Sequence, residues 1–357
     1  MTTLFDPIKI GDLELANRVI MAPLTRCRAD EGRVPNALMA EYYVQRASAG
    51  LIISEATSVT PMGVGYPNTP GIWSDDQVRG WSGITKAVHA NGGKIVLQLW
   101  HVGRISDPVY LDGELPVAPS AIKPAGHVSL IRPMKDFVTP RALESEEIAD
   151  VVEAYRQGAE NAKAAGFDGV EIHAANGYLL DQFLRTTSNH RTDDYGRSIA
   201  NRTRFVEEVV AAVASEAGVE RTGIRLAPFI TQRNMNCPDI IPTILSLAKK
   251  LDEMGLAYIH LAEADWDDAP AIPEVFRHAL RQTYKGRVIV AGKYDAGRAE
   301  RILNQGLADL VAFGRPFVAN PDLPARYAAK LPLAELDSQS LFGGDARGYT
   351  DYGVYAG

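Results

Sequence analysis

Cysteine is nearly absent: Cys27 and Cys237 are the only two in 357 residues. Two distant thiols make no disulfide framework and no CxxC pair, and alone they cannot hold zinc or an iron–sulfur cluster. A basic excess is also missing. Lys and Arg total 37 against 44 Asp and Glu, a net charge of −7, so there is no electrostatic footprint for nucleic acid. No stretch approaches the ~20 consecutive apolar residues of a membrane span. The opening Met1-Thr2-Thr3-Leu4-Phe5-Asp6-Pro7 lacks the basic-then-apolar order of a secretory leader, so a cytoplasmic location is expected. No G-x-S-x-G nucleophile elbow stands out. Gly63-Val64-Gly65 has no strand leading into it and no third glycine, so it is not a dinucleotide fingerprint.

What is present is a recurring unit: an amphipathic helix, a glycine, then a short β-rich run. It occurs at Gly50-Leu51-Ile52-Ile53, Gly93-Lys94-Ile95-Val96-Leu97-Gln98, Gly166-Phe167-Asp168-Gly169-Val170-Glu171-Ile172, Gly255-Leu256-Ala257-Tyr258-Ile259-His260, Gly286-Arg287-Val288-Ile289-Val290 and Gly306-Leu307-Ala308-Asp309-Leu310-Val311-Ala312-Phe313. Glycine suits a helix end because it takes positive φ without a Cβ clash. The runs lack clean alternation, as strands buried on both faces do. Arg18–Ala22 and Thr222–Leu226 complete about eight strands, each followed by a helix-like segment. The expected fold is a (β/α)₈ TIM barrel, α/β in class, forming a single domain over residues 1–357. Ile148, Val151, Val152, Tyr155, Ala159 and Ala162 mark one face of a helix from about Ser145 to Ala165. After the third strand comes a long, Pro-rich excursion from about Gly103 to Arg141, of the kind that serves as a lid or binding loop.

Barrel enzymes place their chemistry at the C-terminal ends of strands. There the sequence offers Pro23-Leu24-Thr25, Glu55-Ala56-Thr57, Gln98-Leu99-Trp100-His101, His173 with Asn176 and Tyr178, Arg225, Glu263, Gly292-Lys293 and Gly314-Arg315. His173, Asn176 and Tyr178 gather three hydrogen-bond donors at one strand end, suited to an oxygen that becomes more negative during reaction. Gly292-Lys293 and Gly314-Arg315 follow strands seven and eight, where such barrels commonly bind phosphate. Arg225 lies within an apolar strand, and a buried arginine needs a partner. It serves either as an ion pair with Glu171 or Glu263, or as a fixed charge beside a cofactor. His101 and His173, with Glu55 and Glu171, leave a metal site open at this point. Trp100, Tyr66, Trp266 and Tyr349 are placed to line a pocket for flat ligands.

Taken in order, these segments resemble the Old Yellow Enzyme family of flavin-dependent ene-reductases, closest to its bacterial N-ethylmaleimide, nitrate-ester and xenobiotic reductases. The resemblance covers nearly the whole chain. It is carried by Met21-Ala22-Pro23-Leu24-Thr25-Arg26, Gln98-Leu99-Trp100-His101-Val102-Gly103-Arg104, Pro116-Val117-Ala118-Pro119-Ser120, Gly169-Val170-Glu171-Ile172-His173-Ala174-Ala175-Asn176-Gly177-Tyr178, Asn189-His190-Arg191-Thr192-Asp193-Asp194-Tyr195-Gly196, Phe313-Gly314-Arg315-Pro316 and Asn320-Pro321-Asp322-Leu323. The sequence departs from the family at Arg197, where a second glycine is usual, and at Ala200, where glutamate is usual. Residues 228–237 match poorly.

The resemblance implies non-covalent FMN, no metal, and NADPH or NADH as reductant. Pro23, Leu24, Thr25, Ala56 and Gln98 would line the flavin, and Thr25 would tune its potential. Arg225 would stabilise its reduced, anionic form. Gly292, Lys293, Gly314 and Arg315 would hold the phosphate. His173 and Asn176 would bind the oxygen of an activated alkene or nitro compound, Tyr178 would protonate the adjacent carbon, and Tyr66, Trp100 and Tyr349 would line the substrate pocket. Monomer and homodimer stay equally open, and no nucleic-acid or membrane partner is expected.

Overall fold

The computed structural model describes residues 1–263 and 269–355. Eight parallel strands close into a barrel: β1 (Val19–Met21), β2 (Leu51–Ile53), β3 (Ile95–Trp100), β4 (Gly169–Ala174), β5 (Thr222–Leu226), β6 (Tyr258–Ala262), β7 (Arg287–Ala291) and β8 (Leu310–Phe313). Each pairs with its sequence neighbours, and β8 pairs with β1 to close the ring. These are the eight runs expected from the sequence, six from the glycine-led units and two, β1 and β5, added to them.

The intervening helices include α1 (Ala37–Val44), α2 (Asp75–Ala90), α3 (Ser145–Ala164), α4 (Leu179–Leu184), α5 (Ile199–Ala217), α6 (Ile240–Met254), α7 (Glu274–Thr283) and α8 (Ala296–Asn304). On α3 the buried residues are Ile148, Val151, Tyr155, Gly158, Ala159 and Ala162. The predicted face is therefore the one that packs, with Val152 only half-buried at its edge. Among the described residues no helix is long and apolar enough to cross a membrane.

Alternate strand residues face opposite ways, so each barrel strand feeds two cores. Val170, Ile172 and Ala174 join the core beneath the helices. The inward residues stack in layers. The lower ones are apolar: Ile20, Leu51, Ile53, Val96, Tyr258, Ile289 and Leu310. Gly223 belongs at this level because the Tyr258 ring occupies its space; a Cβ there would stand 2.1 Å from that ring.

An antiparallel hairpin, Ile8–Ile10 with Leu13–Leu15, was not expected from the sequence. Its Ile8, Ile10, Leu13 and Leu15 join the same apolar cluster, so it plugs the N-terminal end of the barrel. Full burial of such a side chain contributes about 1.5–3 kcal/mol.

Arg197 is exposed and sits at φ 68°, while the Arg202 guanidinium donates to its carbonyl at 2.6 Å. A side chain in this left-handed region carries a steric cost that glycine avoids. Arg197→Gly therefore should raise stability by about 0.5–1 kcal/mol, after allowing for the entropy glycine adds to the unfolded chain. A higher denaturant midpoint at unchanged slope would show it.

Candidate active site

Above the apolar floor the barrel interior turns polar. Gln98 Nε2 donates to Glu171 Oε1 at 2.6 Å, and His260 Nδ1 lies 2.9 Å from Glu171 Oε2. Burial works against the Glu171 charge, but His260 and the hydrogen bonds outweigh it and hold this carboxyl below its usual range. Glu171 is thus engaged inside the barrel. Among the described residues no group of three His, Cys, Asp or Glu could hold a metal ion.

One register higher, His173, Arg225 and His260 stand side by side on β4, β5 and β6. Of the three, Arg225 lines a cavity of about 830 Å³ at the C-terminal end of the barrel. Its lining includes Pro23, Leu24, Thr25, Tyr66, Asn176, Tyr178, Arg225, Gly292, Lys293, Gly314 and Arg315, so eleven residues singled out in the sequence meet on one surface. Ala56, Trp100 and His173 support that wall from behind. Ala56 and Trp100 share an apolar cluster with Tyr66 and Tyr178, and the His173 ring meets the Tyr178 ring edge-on at 5.0 Å. Lys293 and Arg315 gather two cationic side chains where the loops after β7 and β8 converge.

His173 is buried, and that burial, reinforced by the Arg225 charge, holds its pKa well below the usual histidine value. The ring is neutral. Its Nδ1 accepts the Ala175 amide at 3.3 Å, which leaves Nε2–H as its donor. Asn176 lines the cavity at φ 59°, with its buried Oδ1 lacking a hydrogen-bond partner among the described residues.

The chain holds this loop tightly. Gly177, at φ 79°, donates to Asp181 Oδ2 at 2.8 Å, and Gln182 Nε2 donates to the Gly177 carbonyl at 2.8 Å. A Cβ on Gly177 would meet Met235 Cγ at 3.1 Å. Asp181 also receives Arg185 Nε at 2.7 Å, and both side chains are buried. Arg185 then reaches across to the carbonyls of Ala227 and Met235, so it laces the loop after β4 to the loop after β5.

The loop after β1 has its own anchor. Glu55, fully buried behind it, accepts the Arg26 amide at 3.2 Å, and burial pushes its carboxyl up to about 7. The excursion after β3 lies over the other end of the cavity. Its Val128, Leu130, Ile131 and Phe137 pack on the cluster formed by Tyr66, Trp100 and Tyr178.

One placement differs from expectation. Tyr349 is not in the cavity wall. It is fully buried, stacked on Tyr42 at 4.1 Å, with the Arg28 guanidinium 4.3 Å above its ring. The C-terminal segment returns to the first-strand loop and uses this ring as an anchor, while Leu333, Leu336, Leu341 and Phe342 line the cavity instead. Trp266 lies outside the described residues. His101 is buried without a ligand role, its Nδ1 accepting the Gly103 amide at 3.1 Å and its pKa pushed down to about 3 by burial.

Arg233 was missed. It comes from the poorly matching segment, lines the cavity, and donates to Tyr66 Oη at 3.3 Å and to the Asn176 carbonyl at 3.2 Å. Its guanidinium also lies 5.4 Å from the centre of the Tyr178 ring. Tyr66 and Tyr178 are themselves 2.8 Å apart, hydroxyl to hydroxyl.

Comparison with known proteins follows the same lines. The sequence profile of the NADH:flavin oxidoreductase / NADH oxidase family matches residues 3–334. The chain is 42% identical over 361 residues to 12-oxophytodienoate reductase 1 of Oryza sativa subsp. japonica, covering 98% of this chain and 92% of the relative. Among solved structures, morphinone reductase in complex with tetrahydroNAD superposes with a TM-score of 0.95 at 52% identity, covering 99% of this chain and 98% of that one. The old yellow enzyme homologue from Zymomonas mobilis gives a TM-score of 0.95 at 41% identity, covering 99% and 100%.

Proposed function

Because the chain belongs to the NADH:flavin oxidoreductase / NADH oxidase family, the Old Yellow Enzymes, we propose that it is an NAD(P)H-dependent ene-reductase with NADPH or NADH as reductant. Its substrates on this reading are activated alkenes: α,β-unsaturated carbonyls, maleimides and nitroalkenes, with nitro compounds and nitrate esters as further acceptors. The observation that carries it is the layout of one cavity, with phosphate-compatible cations at one end and Asn176 and Tyr178 at the other, the His173 ring packed against Tyr178. Relatives named for reducing morphinone and 12-oxophytodienoate support carbon–carbon double-bond reduction.

The residues present fit FMN. Lys293 and Arg315 suit a phosphate, and half-buried Pro23, Leu24 and Thr25 offer a flat apolar wall with one hydroxyl. Gln98 and Ala56 would stand behind the ring system, and Arg225 would face its most electron-rich edge. Bound there, FMN would supply the hydride chemistry.

The rest of the work falls to the protein. Neutral His173 offers Nε2–H and Asn176 its carboxamide to the substrate's carbonyl or nitro oxygen, and both donors strengthen as charge gathers on it. Tyr178 keeps its proton at neutral pH, because burial and the neighbouring Tyr66 push its pKa above the usual phenol value. It then delivers that proton to the carbon next to the activating group. Tyr66 flanks the substrate with Trp100 packed behind it, and the excursion over them keeps water away.

Purified protein carrying an FMN absorbance spectrum, with NADPH or NADH oxidation stimulated by cyclohexenone, is the expected result. A colourless protein that does not bind added FMN would refute the reading. His173→Ala is expected to weaken phenolic ligands by roughly 10- to 100-fold, the worth of one charge-assisted hydrogen bond. Titration of the ligand-induced flavin spectrum measures it.

A further inference from the structure

We propose that Tyr66, held by Arg233, resupplies the proton that Tyr178 gives to the substrate; this rests on the ene-reductase reading above. The two hydroxyls are 2.8 Å apart, a direct hydrogen bond in which either oxygen can be the donor. Arg233 Nη2 donates to the same Tyr66 oxygen at 3.3 Å. A phenol that donates to a second phenol while accepting from a guanidinium is arranged to lose its proton in one direction only, toward its partner.

The exchange balances as follows. The Tyr178 O–H bond breaks and the substrate carbon gains the proton. In the same step the Tyr66 O–H bond breaks and its proton passes to the Tyr178 oxygen. Negative charge comes to rest on Tyr66, next to the Arg233 guanidinium, where a cation within hydrogen-bond distance favours it. A solvent proton restores the Tyr66 hydroxyl. No electrons move, and the net proton comes from water.

Three further observations agree with this direction of flow. Burial acts to raise the Tyr66 pKa, yet the Arg233 charge and the hydrogen bonds at its oxygen overcome it and leave Tyr66 below its ordinary value. Tyr178, by contrast, is raised by burial and by Tyr66. The partner that ends with the charge is thus the more acidic of the two. Ser129, in the excursion, is a further polar neighbour of the Tyr66 oxygen and is less buried than Tyr66 itself.

Arg233 itself is fixed from outside the pair. Arg104 Nη2 donates to its carbonyl at 3.0 Å and Nη1 to the Ile122 carbonyl at 3.1 Å. The excursion and the loop after β5 are therefore tied at the residue that holds the relay. Arg233 is a positioning residue in this scheme, acting through Tyr66.

The test is a proton inventory. Reduced holoenzyme is mixed with cyclohexenone in a stopped-flow cell across H₂O–D₂O mixtures. The wild type should give a curved inventory, the signature of two protons moving in one step. Tyr66→Phe should give a straight line and a rate lower by roughly 10- to 100-fold, less than the full worth of a general acid. Arg233→Gln should slow the step similarly, and Arg233→Lys, which keeps the cation, should restore most of it. A straight inventory in the wild type, or an unchanged curve in Tyr66→Phe, would overturn the relay while leaving the ene-reductase reading intact. A flavin-loaded wild type that reduces no activated alkene would overturn both. Should Tyr66→Phe fail to fold, the Gln and Lys variants of Arg233 decide the matter by whether the cation alone sets the rate.

Discussion

Tyr178→Phe is expected to slow reduction of an activated alkene by roughly 10²–10⁴-fold, the usual contribution of a positioned general acid. The ring itself has a structural task that phenylalanine can perform. It meets Trp100 edge-on at 5.0 Å and His173 edge-on at 5.0 Å, and both contacts survive loss of the hydroxyl. What disappears is one O–H at the substrate end of the cavity. Reduction of the flavin by a nicotinamide needs no proton from that position and should fall far less. Stopped-flow traces of the two half-reactions, recorded on the same preparation, separate the effects. Equal slowing of both would remove Tyr178 from the role of acid and reassign it to ligand packing.

Arg185→Ala is expected to destabilise the fold by about 3–5 kcal/mol, because it strands the Asp181 carboxylate in the interior. Asp181 already sits above its usual pKa through burial, even with Arg185 and the Gly177 amide supporting its charge. Removing the guanidinium also releases the carbonyls of Ala227 and Met235. The loops after β4 and β5 would lose their shared fastening, and alkene reduction should fall together with stability. Denaturant midpoints measure the first effect. The double variant Asp181→Asn/Arg185→Met should recover much of the loss, since replacing both charges leaves none buried alone. A single variant within 1 kcal/mol of the wild type would show that the pair is not a fastening.

The barrel was legible in the sequence because its signal is local and repeated. A glycine ending a helix and a short β-rich run occur within a few residues of each other, and six such units with two further apolar runs leave little choice of fold. The site was legible for a related reason: parallel strands in a barrel all present their C-terminal ends on one side, so reading strand ends collects the cavity. The polar layer was in view only in part, through Glu171 as an expected partner for Arg225; its contacts with Gln98 and His260 come from neighbouring strands. The elements that escaped depend on distant packing. The N-terminal hairpin has three-residue strands whose alternation is too short to mean anything until the barrel floor receives it. Tyr349 was placed at the rim from its sequence surroundings, but Tyr42, which claims it as a stacking partner, lies near the other end of the chain. Arg233 sits in a loop where local sequence does not say which of several polar residues turns inward; that depends on Arg104 and Arg185 gripping the loop from elements far away in sequence.

The apolar floor of the barrel, with the hairpin packed beneath it, also governs traffic. A vessel sealed at its base has a single mouth, and whatever enters must come back out the same way. Reductant and oxidant on the proposed cycle would therefore queue for one berth, each unable to dock until the other has cast off. Such a harbour makes each visitor a blocker of the other. Crowding by an excess of either one would slow the whole exchange, however fast the chemistry inside.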